Sequence, residues 1–164
     1  MASAVPGSTC QAGSADPGCA VTVAVVAGPL TITVPATASL GSAPPGGTLS
    51  AGLSTVQVTD DRGFGASWTA TVSSTGFATG TGTQAETIPA GNARYLIAAL
   101  SSATGPATFT PVPSVRLSAS PQAVVSATNV TGNTTVTWDP TVRVRIPSNA
   151  ISGDYTATIT HSVS

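Results

Sequence analysis

Threonine alternates with apolar residues along several short segments, and this alternation is the feature that most constrains the fold. In residues 30–34, leucine, isoleucine and valine fall on one face of an extended chain and two threonines fall on the other. The same period of two occurs in residues 68–72 and 155–160. Because successive side chains of a strand point to opposite faces, the pattern predicts strands with one buried and one solvated face. Threonine, which is β-branched, suits the solvated face.

Clusters of Gly, Pro, Asn and Ser separate such segments along most of the chain, and no segment has the period of a helix. The predicted strands are residues 21–26, 30–34, 54–59, 68–73, 95–100, 115–117, 124–127, 134–138, 141–146 and 155–163. Strands with one wet face are typical of antiparallel sheets. Their number and spacing predict an all-β protein, a single antiparallel β-sandwich of the immunoglobulin-like type.

Charged residues are scarce, and their scarcity excludes some functions. The 164 residues include six acidic side chains, five arginines and no lysine, whereas threonine and serine number 27 and 20. A nucleic-acid binder needs a basic stripe. The arginines are dispersed along the chain as Arg62, Arg94, Arg116, Arg143 and Arg145. We therefore expect no basic stripe and no nucleic-acid partner.

The length fits one domain, which we place at residues 20–164, behind a Gly/Ser/Pro-rich appendage at residues 1–19. Cys10 and Cys19 flank a flexible loop, so an oxidising compartment would close them into a disulfide ring. That ring either rigidifies the terminus or serves in docking. No apolar run is long enough to predict a membrane-spanning helix.

The start of the chain indicates the compartment. Residues 2–4 read A-S-A, like the end of a signal-peptide cleavage site. We interpret the chain as a mature secreted protein restarted with Met1. The absence of lysine beside abundant alanine, glycine and arginine is typical of GC-rich bacterial genomes, so we expect an extracellular bacterial protein, either released or associated with the cell wall.

The inventory of titratable side chains argues against catalysis. His161 is the only histidine, and no G-x-S-x-G pattern accompanies it. Two thiols without further ligands nearby do not complete a zinc site. The segment Asp60-Asp61-Arg62-Gly63 is typical of a turn, with a calcium site as the alternative. We expect a protein that is not an enzyme, with no catalytic residues, no metal and no cofactor.

Residues 56–72, which read VQVTDDRGFGASWTATV, resemble the proximal motif of the WxL domain, a secreted module of Gram-positive bacteria. In that motif a strand ending V-T-D-x-R-G leads through a glycine turn into G-W-T-L-T-V. Residues 147–163 are similar to the distal motif of the family. The two triplets read W-T-A and H-S-V here, so Trp68 alone matches a W-x-L tryptophan. The resemblance implies non-covalent attachment to peptidoglycan, in an organism that we expect to be actinobacterial.

Our first functional hypothesis is a non-enzymatic binding module of the cell envelope, whose partner is peptidoglycan or another wall glycan. Aromatic rings stack on sugars, and the charged turn lies next to the motif tryptophan. The candidate binding residues are Trp68, Asp60, Asp61, Arg62, Trp138 and Tyr155. Trp68 and Trp138 share strand faces with apolar neighbours, so a role as core anchors is the alternative for both.

The second hypothesis is a structural or adaptor subunit of a secreted assembly, such as a fibre or a toxin particle. The predicted strand at residues 21–26 carries no charge. An uncovered strand of this kind pairs with a strand of another chain, either a second copy or a different protein. The candidate assembly residues are Val21, Val23, Val25 and Val26.

Overall fold

The computed structural model describes residues 8–10, 19–21 and 23–164, the first two segments through their backbone alone. In these residues the chain forms short strands joined by turns. The first eight strands are β1 (Ser8–Cys10), β2 (Cys19–Val21), β3 (Leu30–Thr33), β4 (Thr48–Gly52), β5 (Val56–Asp60), β6 (Trp68–Ser74), β7 (Phe77–Ala78) and β8 (Thr87–Ile88). The others are β9 (Ala93–Leu96), β10 (Leu100–Thr104), β11 (Thr108–Pro111), β12 (Ser114–Arg116), β13 (Gln122–Thr128), β14 (Thr134–Trp138), β15 (Thr141–Arg145) and β16 (Ile159–Val163).

The protein is nearly all-β, as the alternation predicted, and the helical content of the described residues is two 3₁₀ turns, Gln84–Glu86 and Ala90–Asn92. Three four-stranded sheets have the orders β10-β14-β5-β3, β12-β9-β15-β4 and β11-β13-β6-β16. Their strand pairs are antiparallel. We call them the first, second and third sheet.

Three long segments of the chain run through both the first and the second sheet. Residues 48–60, 93–104 and 134–145 each contribute one strand to each of these sheets and bend between the two strands. At the bend of the central segment, the Asp139 carboxylate accepts hydrogen bonds from the hydroxyls of Ser101 and Thr55, which lie on the two flanking segments. The hydrogen bond from Ser101, followed by that from Thr55, lowers the pKa of Asp139. This carboxylate joins the three segments where they change direction.

Side chains from all three sheets meet in one apolar core cluster. The largest fully buried members are Trp68 on β6, Trp138 on β14 and Tyr95 on β9. The Trp68 ring packs against Phe109 of β11 with a centroid distance of 6.1 Å. Valine fills much of the remaining core, and each buried valine side chain contributes about 1.5 kcal/mol or more relative to exposure. The core therefore rests on a few aromatic rings surrounded by small β-branched side chains.

Most predicted strands are confirmed, and the exceptions have physical causes. Residues 23–29 form no strand, so the prediction for residues 21–26 is wrong for residues 23–26. A strand needs a hydrogen-bonding neighbour, and among the described residues these four residues pair with none. The predicted strand at residues 95–100 is divided by the bend between β9 and β10. Residues 155–158 make one isolated bridge, between Thr156 and Ala78, before β16 begins.

The appendage is described only in part. Strands β1 and β2 pair antiparallel, with Cys10 opposite Cys19 in the backbone register. The side chains of both cysteines, and most of residues 1–19, lie outside the described residues, so the disulfide stays a prediction. None of the helices in the described part of the chain has the length and apolarity that crossing a bilayer requires.

Candidate functional site

The aromatic residues proposed for binding do not form an exposed platform. Trp68 and Trp138 are 2% and 0% exposed, so neither ring offers a face to a ligand. Tyr155 is half-buried, and its hydroxyl lies 2.9 Å from the carbonyl oxygens of Ala85 and Ile151. Among the described aromatic residues, Phe64 alone is strongly exposed, at the tip of the turn before β6. The two tryptophans act as core anchors in this arrangement.

Asp60 and Arg62, two other predicted binding residues, form a bidentate ion pair at the end of β5. Arg62 donates from Nε to Oδ1 at 2.9 Å and from Nη2 to Oδ2 at 3.1 Å, and its backbone N–H reaches Oδ1 at 3.0 Å. The Asp60 carboxyl is fully buried. The guanidinium hydrogen bonds are the main cause of the lowered pKa of Asp60. Charge-assisted, two-pronged contacts of this kind are the strong class of hydrogen bond.

The ion pair holds the turn that leads into β6. Nη2 of Arg62 also lies 3.4 Å from the carbonyl oxygens of Ala66 and Ser67. On the other side of the turn, the N–H of Gly28 donates to the carbonyl of Asp61 at 2.9 Å, and a Cβ at Gly28 would approach Asp61 to 2.6 Å. The turn at residues 60–67 is therefore held by its own side-chain and backbone hydrogen bonds. Within the described residues, no group of three or more potential metal-ligating side chains occurs.

His161 belongs to a hydrogen-bonded chain that joins all three sheets. Trp138 Nε1, on the first sheet, donates to the Tyr95 hydroxyl at 3.0 Å, and that hydroxyl lies 3.0 Å from His161 Nε2 on the third sheet. The indole N–H can only donate, so the phenol oxygen accepts from Trp138, and the direction of its hydrogen bond with Nε2 follows from which ring nitrogen carries the imidazole proton. The other ring nitrogen, Nδ1, is buried without a partner among the described residues.

Burial sets the protonation states of this chain. It lowers the pKa of His161 to about 4 and raises the pKa of Tyr95 above its ordinary value. The imidazole is consequently neutral near pH 7, with Nε2 occupied by Tyr95 and Nδ1 shielded from solvent. A general base needs a ring nitrogen within reach of the proton that it removes. His161 thus acts in packing in this arrangement.

A groove of about 900 Å³ opens beside His161, between residues 35–45 and residues 150–159. Its floor is apolar and includes Leu49, Val144 and Ile146. Asp154 is the only charged residue that lines it. The groove lacks the paired carboxylates or the activated nucleophile that hydrolysis requires.

The predicted assembly residues are conspicuously exposed. Val23, Val25 and Val26 are 80%, 91% and 85% exposed and lie just beyond the end of β2. Residues 23–27 contain only valine and alanine. An isolated exposed valine is ordinary, but three within four residues form a continuous apolar segment. The side chain of Val21, the fourth predicted residue, lies outside the described set.

The second sheet gathers arginines that the sequence places far apart. On its solvent face, Arg94 of β9 stands opposite Arg116 of β12 on one side and opposite Arg143 of β15 on the other. Arg145 follows two residues after Arg143 on the same face, and all four side chains are exposed. We call these four residues the arginine face. The expectation that the arginines would form no basic stripe is wrong, because strand register brings together residues that sequence distance separates.

A sequence signal for part of this face existed. The alternation V-R-V-R in residues 142–145 already places two arginines on the solvent side of one strand. The pairing with Arg94 and Arg116 depends on the register between strands, which one sequence does not reveal.

A scan against models of known families finds no match, and comparisons with curated proteins and with solved structures find none either.

Proposed function

We propose that the chain is a non-enzymatic structural or adaptor subunit of a secreted assembly, joined to its neighbour by strand addition through residues 21–27. The observation that carries the proposal is the exposure of Val23, Val25 and Val26 in residues 23–27, which have no strand partner among the described residues. An exposed apolar segment with unpaired backbone N–H and C=O groups is a template for a strand of another chain.

Strand addition suits this segment energetically. Burying three valine side chains supplies roughly 5 kcal/mol before the cost of association is subtracted. The main chain of a five-residue segment adds hydrogen bonds along the edge of a partner sheet, and alternate side chains enter pockets there. The segment contains no proline and no charged residue to oppose pairing. In the sequence, Val23 follows two positions after the end of β2, which is already paired with β1.

The proposal also includes the type of β-sandwich, the disulfide and the location of the protein. The shared core of the three sheets supports a single immunoglobulin-like β-sandwich. The opposition of Cys10 and Cys19 in the β1–β2 register supports a disulfide, and hence a secreted protein. We place the chain at the envelope of a Gram-positive, actinobacterial cell, as a relative of the WxL domain. Attachment to peptidoglycan through the tryptophans has less support, because both rings are buried.

The test compares two variants of the full chain. In the first, Val23, Val25 and Val26 are replaced by serine; in the matched control, Ala24 and Ala27 are replaced by serine. Light scattering after size-exclusion chromatography measures the mass of the purified protein, and of complexes formed with the partner purified from the native culture supernatant. We expect the wild type and the control to form a complex larger than one chain, and the valine variant to remain monomeric.

Two results would contradict the proposal. One is a complex of unchanged mass with the valine variant. The other is a wild-type chain that stays monomeric in the native supernatant and sediments with purified cell walls, which would favour the wall-binding alternative. Reduction of Cys10 and Cys19 should weaken the complex, because it loosens the segment from which the valines extend.

A further inference from the structure

The arginine face holds most of the positive charge of the molecule. Four of the five basic side chains lie on this one face, in a chain of net charge −1. The fifth, Arg62, is the one engaged in an ion pair among the described residues. The arginine face therefore has four guanidinium groups without an ion-pair partner in the described part of the chain.

This arrangement is unfavourable for the isolated protein. Residues directly opposite each other on adjacent antiparallel strands have Cα atoms about 5 Å apart, and like charges in such positions repel. Arg94 has an arginine opposite it on both sides. No acidic residue occurs on the four strands of this sheet to compensate. The arginine face therefore does not stabilise the isolated protein, and the binding of an external anion explains it better.

The neighbouring side chains are hydrogen-bonding groups. Ser50 lies opposite Arg143 and Thr48 opposite Arg145, and Ser114 accepts a hydrogen bond of 3.3 Å from Arg94 Nη1. No aromatic residue occupies an exposed position on these four strands. Bases of a single-stranded nucleic acid would therefore find no ring on which to stack. A face with arginine, serine and threonine suits the anionic groups of a polymer that carries no bases.

We propose that the arginine face binds a linear polymer whose repeating anionic groups are phosphates. A phosphate offers several acceptor oxygens and takes hydrogen bonds from two or three guanidinium groups at once, whereas a carboxylate is satisfied by one arginine fork. Arg116, Arg94 and Arg143 stand on three consecutive strands, so neighbouring guanidinium groups reach the same phosphate. Arg145 extends the row along β15 toward the next phosphate. This surface is separate from residues 21–27, and its function does not depend on strand addition.

Long-chain inorganic polyphosphate is the probe, and the full-length protein is titrated by fluorescence anisotropy at several salt concentrations. Release of counterions by four arginines predicts a logarithmic salt dependence with a slope of roughly −3. In the variant with Arg94, Arg116 and Arg143 replaced by glutamine, we expect affinity to fall at least tenfold and the slope to approach −1. In Arg94→Lys, affinity falls several-fold at an unchanged slope, because the charge remains and the fork is lost.

The control variant lowers the net charge by the same three units elsewhere. Ser102, Thr108 and Thr110, which are exposed on β10 and β11, are replaced by glutamate. This variant should bind more than half as tightly as the wild type at 150 mM salt. Thermal unfolding of the glutamine variant shows whether it is folded, and its melting temperature should equal or exceed that of the wild type because the repulsion is relieved.

Four outcomes would overturn the proposal. They are unchanged polyphosphate binding by the glutamine variant, an equal loss in the glutamate control, tighter binding of poly-glutamate of matched length, and tighter binding of duplex DNA. The third outcome would assign the face to a carboxylate polymer and the fourth to a nucleic acid. None of them affects the association through residues 21–27, which is measured separately by mass.

Discussion

Arg62 shows how one half-buried side chain holds a turn four to five residues further along the chain. It satisfies the buried carboxylate of Asp60 and reaches two carbonyl groups of the turn before β6. A buried carboxylate without such a partner would remain desolvated and uncompensated. The stability of this corner of the molecule therefore depends on the pair as a unit.

Replacement of Arg62 by alanine should lower the free energy of unfolding by about 2 kcal/mol, the usual range for a hydrogen bond to a charged group. Arg62→Lys retains the charge without the two-pronged contact and should recover part of this loss. Arg143→Ala, on an exposed site without an ion pair, is the matched control and should change stability by less than about 0.5 kcal/mol. Urea denaturation at pH 7 measures all three.

The acid response of the same pair follows from the lowered pKa of Asp60. A depressed carboxyl pKa stabilises the fold above the unfolded value near 3.8, and this contribution is lost as the pH falls through the folded value. Arg62→Ala should thus be less sensitive to acid below pH 4 than the wild type. An equally steep loss in both proteins would show that other carboxyl groups dominate.

His161 gives a second, separate pH dependence at the scale of one residue. Its pKa is lowered to about 4 in the fold, so the neutral form is stabilised above the unfolded value of 6.5 and the benefit is lost as the pH falls toward 4. By the usual 1.36 kcal/mol per pKa unit, the loss between pH 7 and pH 4 is up to about 3 kcal/mol. We expect His161→Gln to remove this part of the pH profile.

Tyr95→Phe is the control for the histidine variant. It removes the hydroxyl that links Trp138 and His161 but keeps the imidazole buried, so the stability should fall at all pH values by about 1–3 kcal/mol. The slope between pH 7 and pH 4 should persist. If His161→Gln instead retains the slope, then protonation of this imidazole is not its source.

At the scale of elements, the sequence predicts strands well where a clean alternation coincides with one buried face. Residues 134–138 were predicted with the bounds of β14, and β6 differs from its prediction by one residue. The sequence does not predict β4 and β11, because their short sequences, TLSAG and TFTP, contain turn-forming residues. It does not predict β1, β7 and β8 either, which have only two or three residues each. The alternation in residues 155–158 is real, but these residues contribute one bridge to a sheet.

The candidate sites were less predictable than the strands, because they depend on contacts between segments that are distant in the sequence. The motif tryptophan and the Asp-x-Arg turn were visible in the sequence, yet burial gives both a structural role. The arginine face required the register of β9 with β12 and β15, and the core chain of His161 required contacts among three sheets. Such non-local pairings leave no periodic signal in a single segment.

The turn between β10 and β11 carries the chain from the first sheet to the third, and Gly105 makes it possible. Its φ is +96°, and a Cβ would lie 2.2 Å from the Asn133 carbonyl oxygen and 2.9 Å from Thr134 Cα. Gly105→Ala should therefore cost more than about 3 kcal/mol, as backbone strain and a backbone clash combine. Gly63→Ala, at φ +85° with open space around it, should cost about 1 kcal/mol. Chemical denaturation distinguishes them; equal costs would mean that the turn relaxes readily.

At the scale of the whole molecule, charge and apolar exposure are separated. Positive charge is concentrated on the second sheet, and the exposed valines follow the appendage in the sequence. The core cluster that joins the three sheets contains neither the arginines nor these valines. Uncharged threonine and serine side chains supply much of the remaining polar surface, so the arginine face and the exposed valines are surrounded by uncharged residues. The arginine face and residues 21–27 can then act independently, as the adaptor role that we propose requires.

This separation predicts that residues 21–27 contribute little to folding. Removal of residues 1–27 leaves Gly28 in place against Asp61 and deletes valines that are more than three-quarters exposed, so the melting temperature should change by less than about 2 °C. Removal of residues 1–33 also deletes β3, whose Leu30 and Ile32 pack against the core and whose backbone pairs with β5. That loss of several kcal/mol should lower the melting temperature by roughly 10 °C or more. Calorimetry of the two truncated chains checks the contrast. A large drop in the shorter deletion would show that the valine segment is part of the folding unit, and its exposure would then need an explanation other than assembly.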